Sequence, residues 1–343
     1  MQLNAAQLVP ALKAMENARL AFMIWGTPGI GKSAVVNQYA EATGKRLVDI
    51  RLSQFDSVDL RGFPSVSDGW AQWNAPRILP FKGNPDFHPK NPVVLFLDEL
   101  LQAPPAVQAV AFQLVLDRRV GEHELMDNVF VVAASNRDTD RAGANRMLTA
   151  LANRFVHVEM VPNLDAWVDW ALDHDIDSKL IAFLRFRPEL MSTFITSKGA
   201  VTSEKVFASL RSWEFVDRIV KQKLSLDLEV SLCAGAVGDG PAAELKAFWD
   251  TWASMPSIDN AIMNPDTAEL PSVKRPDVMF AVTTALGERA EQGTFGNILK
   301  YCDRLPPEYA VRVMRDATRR NVALGLHTAF LRAVTKYSNY WKA

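Results

Sequence analysis

From residue 1 to about 160, short apolar runs alternate with segments of helical period. The runs at Phe22 to Trp25, Leu47 to Leu52, Val93 to Leu97, Val129 to Ala134 and Val156 to Met160 are almost continuously apolar. Strands of that kind are covered on both faces, and their alternation with helical segments predicts a parallel sheet sandwiched by helices. From about residue 161 the pattern changes to helices only. Pro241 in a first turn, followed by Leu245, Phe248, Trp249 and Trp252, has the i, i+3, i+4, i+7 spacing of a helix that turns its tryptophans into a core. Asn264 to Pro276, rich in Pro, Asp and Ser, reads as a long loop, with helices resuming at Val278.

Composition narrows the class. The 343 residues are 48% hydrophobic and 22% charged, which suits about two ordinary globular cores. Two cysteines, Cys233 and Cys302, cannot staple such a chain, and no CxxC pair suggests zinc or redox chemistry. The opening MQLNAAQLVPALKAMENARL has no apolar signal-peptide core, and no uncharged run approaches the roughly 20 residues a bilayer requires, so the expectation is a cytoplasmic chain without membrane insertion. With 38 Lys and Arg against 39 Asp and Glu, no overall field draws a polyanion, and nucleic acid is not the expected partner. From residue 301 onward the balance is eight Lys and Arg to three Asp and Glu, and Arg312, Arg315 and Arg319 fall on one helical stripe. Such a stripe reads first as a solvated face, and second as a docking surface for an acidic partner or nucleic acid. Asp173-His174-Asp175-Ile176-Asp177 has metal-ligand residue types, but reads as a solvated loop.

The specific chemistry lies in Gly26-Thr27-Pro28-Gly29-Ile30-Gly31-Lys32-Ser33, which fits GxxxxGK[ST] between an expected strand and an expected helix. Glycines let the loop bend so that successive N–H groups face phosphate oxygens, helped by the positive end of the helix. Lys32 is then placed to neutralise the β- and γ-phosphates of ATP, and the Ser33 hydroxyl to ligate Mg²⁺. The strand Val93 to Leu97 delivers Asp98 and Glu99 at its carboxyl end, where ligands sit in such sheets. Asp98 is the candidate for the Mg²⁺ shell and Glu99 for polarising the attacking water. The strand from Phe130 to Ser135 ends in Asn136, whose amide can orient that water or simply serve a turn.

These elements, followed by Leu151-Ala152-Asn153-Arg154-Phe155 and by Ser209-Leu210-Arg211-Ser212-Trp213, resemble an AAA+ ATPase of the MoxR-like group, whose look-alikes carry the dynein-related type of module. The resemblance covers the first 220 residues through specific motifs. It implies a P-loop NTPase core over residues 1–160 with a hairpin insert at about 56–80, a helical lid over 161–222 and an all-α C-terminal domain over 223–343. It also implies that Asn136 is the sensor 1 residue, Arg154 the arginine finger and Arg211 the sensor 2 arginine of the lid, with Arg141 and Arg146 as rivals for the finger. Ser-Pro-Arg would open the lid helix in the family; here Ser209-Leu210-Arg211 keeps the charge without the proline.

The same resemblance implies an insertion in the second helix. Asp59-Leu60-Arg61-Gly62-Phe63-Pro64 leads through Ser67-Asp68-Gly69-Trp70 to Trp73 and Pro76, and Asp-Gly between apolar residues is a strong hairpin signal. Trp70 and Trp73 would either grip a partner or pin the hairpin. Arg118-Arg119-Val120-Gly121-Glu122-His123-Glu124 resembles the pre-sensor hairpin, and in the family both elements face a central pore. The expected activity is hydrolysis of ATP to ADP and phosphate in a homo-oligomeric, hexameric ring that remodels a protein partner in a chaperone-like way; in the family that partner often carries a von Willebrand factor A domain. A nucleic-acid-stimulated motor and a nucleotide-gated scaffold are the competing readings.

Overall fold

The computed structural model describes residues 1–137, 140, 147, 152–196 and 198–341. They fall into two compact units, Met1–Asn163 and Leu164–Ala343. In the first, the elements are β1 (Gln2–Leu3), α1 (Ala5–Asn17), β2 (Ala21–Trp25), α2 (Lys32–Ala42), β3 (Arg46–Arg51), α3 (Ser57–Arg61), β4 (Phe63–Ser67), β5 (Trp70–Asn74), β6 (Val93–Asp98), α4 (Pro105–Asp117), β7 (Arg119–Val120), β8 (His123–Glu124), β9 (Val129–Ser135) and β10 (Phe155–Met160).

Among the described residues one six-stranded sheet runs in the order β1-β10-β2-β9-β6-β3, with each neighbouring pair parallel. This is the parallel sheet that the alternating pattern predicts. The five strands expected from the sequence lie within about a residue of β2, β3, β6, β9 and β10. β1 has two residues, too few to carry a period, and is added by pairing Gln2 and Leu3 with Glu159 and Met160.

Every residue of β6 and β9 is buried. Strand alternation therefore divides their side chains between two cores. Met23, Leu95, Leu97, Val131 and Ala133 join Val107, Ala111 and Leu114 of α4 on one face. Phe22, Ile24, Val94, Phe96 and Val132 fill the other, where α1 and α2 bring buried Leu8, Leu12, Val36 and Tyr39, the last set edge-on to Phe130.

Two antiparallel hairpins leave this sheet, β4–β5 and β7–β8. All ten residues of β4 and β5 are exposed. At its tip Asp68 and Gly69 both take positive φ (+53° and +81°), the geometry a two-residue hairpin turn requires. Trp70 is 77% exposed and Trp73 38%, so Trp70 pins nothing. The Trp73 N–H reaches Glu122 between β7 and β8 at 3.3 Å, which joins the two hairpins.

The second unit is helical: α5 (Leu164–Asp173), α6 (Ser178–Phe186), α7 (Leu210–Val220), α8 (Leu226–Val237), α9 (Asp239–Ala253), α10 (Ile258–Met263), α11 (Pro276–Glu288), α12 (Phe295–Cys302), α13 (Pro307–Arg320), α14 (Thr328–Lys336) and α15 (Ser338–Trp341). One core gathers around Trp213, whose indole N–H donates to the Leu190 carbonyl at 2.9 Å; Leu245 and Phe248 of α9 are buried in it, with Trp249 and Trp252 half-buried at its edge. A second core holds Phe295, Tyr301 and Met314. In this unit no described helix is long and apolar enough to cross a membrane, and the same is true of the first.

Two sequence expectations change here. The arginine stripe of α13 is not a free solvated face. Arg319 makes a two-pronged ion pair with Asp173, Arg312 lies over the rings of Phe280 and Tyr309, and Arg315 lies over Trp341. The segment from Asp173 to Asp177 is not a plain solvated loop either. Asp173 ends α5 in that ion pair, Ile176 is buried, and the Asp177 carboxylate caps α6 by accepting from the Lys179 N–H at 2.8 Å. The spacing of one helix cannot show what a partner helix brings opposite it.

Candidate nucleotide site

The loop between β2 and α2 has the tight glycine backbone that a phosphate cradle requires. Gly29 and Gly31 hold φ of +74° and +96°, a region in which side chains with a Cβ are strained. At Gly26 the constraint is space: a Cβ there would lie 3.1 Å from the Met160 carbonyl oxygen and 3.3 Å from Ile30 Cγ2. Gly31 caps α2, so Lys32 and Ser33 stand in its first turn, where free N–H groups and the helix dipole favour an anion. Ile30 is buried, and Thr27 and Pro28 are half-buried.

Lys32 and Asp98 are only 8% and 7% exposed. Charges so placed need partners. The Lys32 ammonium donates to the carbonyls of Gly26 (2.7 Å) and Thr27 (3.2 Å) and to Asn136 Oδ1 (2.9 Å). The Ser33 hydroxyl donates to Asp98 Oδ2 at 2.9 Å, while Asp98 Oδ1 accepts from the Glu99 N–H. A hydroxyl and a carboxylate side by side supply hard oxygen donors, and Mg²⁺ takes few of its ligands from protein when phosphates supply others. Among the described residues no cluster of three or more His, Cys, Asp or Glu forms a self-sufficient metal site. The donor set therefore fits Mg²⁺ brought in with a triphosphate.

Glu99 takes a left-handed backbone, φ +56°, uncommon for a residue with a side chain. Its carboxylate accepts from the Ser53 hydroxyl and faces Arg51 Nε at 3.6 Å. Arg51 ends β3 and Ser53 lies in the turn just beyond it; β3 pairs with β6 in a register that sets Arg51 opposite Asp98. The glycine loop, Lys32, Ser33, Asp98, Glu99 and Asn136 thus meet at the carboxyl ends of β2, β6 and β9. Arg154 is exposed in the turn before β10. Arg211 is exposed in the first turn of α7, in the second unit. Arg141 and Arg146 lie outside the described residues.

Several residues around the site escape sequence reading. Ser53 and Arg51 become visible only once β3 is paired with β6. Arg137, next to Asn136, pairs with Asp140 and Glu159, each at 2.7 Å. Glu159 also accepts from Gln2, and these bonds hold its carboxyl below the usual carboxylate range against a smaller opposing effect of burial. Trp25, the residue before the loop, stacks on His157 of β10.

Residues 21–155 match the profile of the AAA domain (dynein-related subfamily). Solved structures with a distant likeness include NtrX from Brucella abortus in complex with ATP, 12% identical with a TM-score of 0.40, where 97% of this chain and 68% of that chain are covered. A second NtrX structure from Brucella abortus is 16% identical with a TM-score of 0.35, covering 72% of this chain and 68% of that one. A lysine-to-arginine mutant of Thermotoga maritima RuvB is 12% identical with a TM-score of 0.37 and 82% coverage of both chains.

Proposed function

We propose that this chain is a Mg²⁺-dependent ATP hydrolase, of the MoxR-like kind, that works as a homo-oligomeric ring to remodel a partner protein. The observation that carries the reading is the meeting of Ser33 and Asp98 at 2.9 Å beside Lys32, in the mouth of the glycine loop. Ser33 and Asp98 would hold Mg²⁺, which would supply positive charge to offset that of the phosphates. Lys32 would exchange its carbonyl and amide partners for phosphate oxygens, and the N–H groups of the loop would hold the phosphates in line. Glu99 would accept the proton of the attacking water, and Asn136 would orient that water. Arg154 would add a guanidinium to the site of a neighbouring subunit, an addition worth about 10³ to 10⁵ in rate where such fingers act. Residues 161–222 would serve as the lid, with Arg211 sensing the nucleotide, and 223–343 as the appended helical domain. Six subunits, a cytoplasmic setting and a partner with a von Willebrand factor A domain complete the reading.

The test is phosphate release alongside nucleotide binding. Glu99→Gln should bind Mg·ATP as the natural protein does and release phosphate about 10² to 10⁴ times more slowly. Unchanged release would remove Glu99 from the reaction, and no release above background by the natural protein would leave a nucleotide-gated scaffold instead. Light scattering should show an ATP-dependent ring, and a strict monomer would remove Arg154 from any neighbour's site.

A further inference from the structure

Two side chains, Trp25 and His157, join the end of the glycine loop to the Arg154 turn. Trp25 Nε1–H donates to His157 Nδ1 at 2.9 Å, and the two rings stack with centroids 5.9 Å apart and planes 19° from parallel. The other ring nitrogen, Nε2, lies 2.7 Å from the Ala152 carbonyl oxygen. An indole N–H can only donate and a carbonyl oxygen can only accept. His157 must therefore be neutral with its proton on Nε2, since an imidazolium or the other tautomer would set two donors or two acceptors face to face. Phe155 edges the same ring at 6.1 Å.

Each end of this relay is next to a site element. Trp25 precedes Gly26, whose carbonyl accepts from the Lys32 ammonium. Ala152 precedes Arg154 by two residues, and β10 fixes the chain beyond by pairing Phe155 with Ala21. The three-residue turn is thus held on one side by strand register and on the other by the His157 ring.

We propose that His157 is a positioning residue: through the Trp25–His157–Ala152 relay it fixes the Arg154 turn on the body of its own subunit, and with it where the guanidinium is presented to the neighbouring subunit's nucleotide. A guanidinium that must reach a reacting phosphate loses most of its effect when displaced by about 1 Å, so the relay acts on turnover and leaves nucleotide affinity alone. This rests on the reading of Arg154 as a group that acts on nucleotide, and the two can fail separately.

The test is steady-state ATP hydrolysis, with nucleotide affinity measured beside it, for His157→Phe, His157→Gln, Arg154→Ala and the His157→Phe, Arg154→Ala double variant. His157→Phe keeps a stacked ring and loses both hydrogen bonds; kcat should fall about 10-fold to 100-fold with affinity for Mg·ATP unchanged within about a factor of two. His157→Gln, whose amide can both accept and donate, should recover part of the rate. The double variant should be no slower than Arg154→Ala, because the two changes remove one interaction. Should His157→Phe fail to fold, Trp25→Phe removes the bond to Nδ1 while leaving that to Ala152, and kcat should fall in the same direction by a smaller factor. In the natural protein, imidazole nitrogen NMR should show His157 as the neutral Nε2–H tautomer. A normal rate in Arg154→Ala would overturn the finger reading. A defective Arg154→Ala with a normal His157→Phe, additive losses in the double variant, or an Nδ1–H tautomer would overturn the relay.

Discussion

The Lys32 ammonium donates to Asn136 Oδ1 at 2.9 Å across 104 residues of sequence, so the first turn of α2 and the end of β9 share one buried proton donor. Asn136 thereby takes up part of the charge-dipole demand of Lys32, and in the proposed function it orients the attacking water. Asn136→Ala should leave Mg·ATP affinity within about a factor of ten while lowering kcat about 10² to 10³-fold, the usual loss when one oriented polar group is removed from a transition state. Lys32→Ala should abolish binding itself. Single-turnover hydrolysis and equilibrium titration with a fluorescent nucleotide separate the two.

Gly62 closes α3 at φ +89°, and a Cβ there would fall 2.0 Å from the Asn74 carbonyl oxygen at the far end of β5. Gly69, at the hairpin tip with φ +81°, has open space around it. Gly69→Ala should cost about 1 to 2 kcal/mol from backbone strain alone. Gly62→Ala should cost more and open the β4–β5 hairpin, because backbone must move to admit the methyl group. Limited proteolysis within residues 62–76 and thermal unfolding would rank the two, and equal effects would contradict the clash.

Glu159 supplies the clearest pH dependence in the first unit. The Gln2 hydrogen bond, then Arg137, lower its pKa in the folded chain from the ordinary 4.5. A lowered carboxylate pKa means that the unfolded chain binds the proton more readily. The associated stability is present above pH 4.5 and drains away as pH falls through the folded value. Glu159→Gln should therefore unfold more easily near pH 7 and show a shallower loss of stability below pH 4.5 than the natural protein, read from urea titrations at several pH values.

In the second unit, Arg185 on α6 and Asp316 on α13 form a two-pronged ion pair at 2.5 and 2.7 Å, with side chains only 9% and 4% exposed. Removing one partner strands a buried charge, so Asp316→Ala should cost about 3 to 5 kcal/mol. Replacing both by apolar residues of similar volume should recover much of that loss. Chemical unfolding of the two variants measures the difference, and a mild Asp316→Ala would mean that water reaches Arg185.

The sequence by itself determined what is local. The GxxxxGK[ST] run fixes the conformation of Gly29 and Gly31 and the placing of Lys32 and Ser33, because loop, cap and first helical turn are eight consecutive residues. Continuous apolar runs gave β2, β3, β6, β9 and β10 and the acids at the end of β6, because burial on both faces leaves a pattern within each strand. Tertiary structure alone decided what faces what. Parallel pairing of β3 with β6 set Ser53 and Arg51 on Glu99, and pairing of β10 with β2 stacked His157 on Trp25. The packing of α13 turned an apparently free arginine stripe into ion-pair and ring contacts. Apart from Tyr309 under Arg312 within α13 itself, those partners lie tens to more than a hundred residues apart, and no period within one segment encodes the identity of a side chain that another segment brings to it.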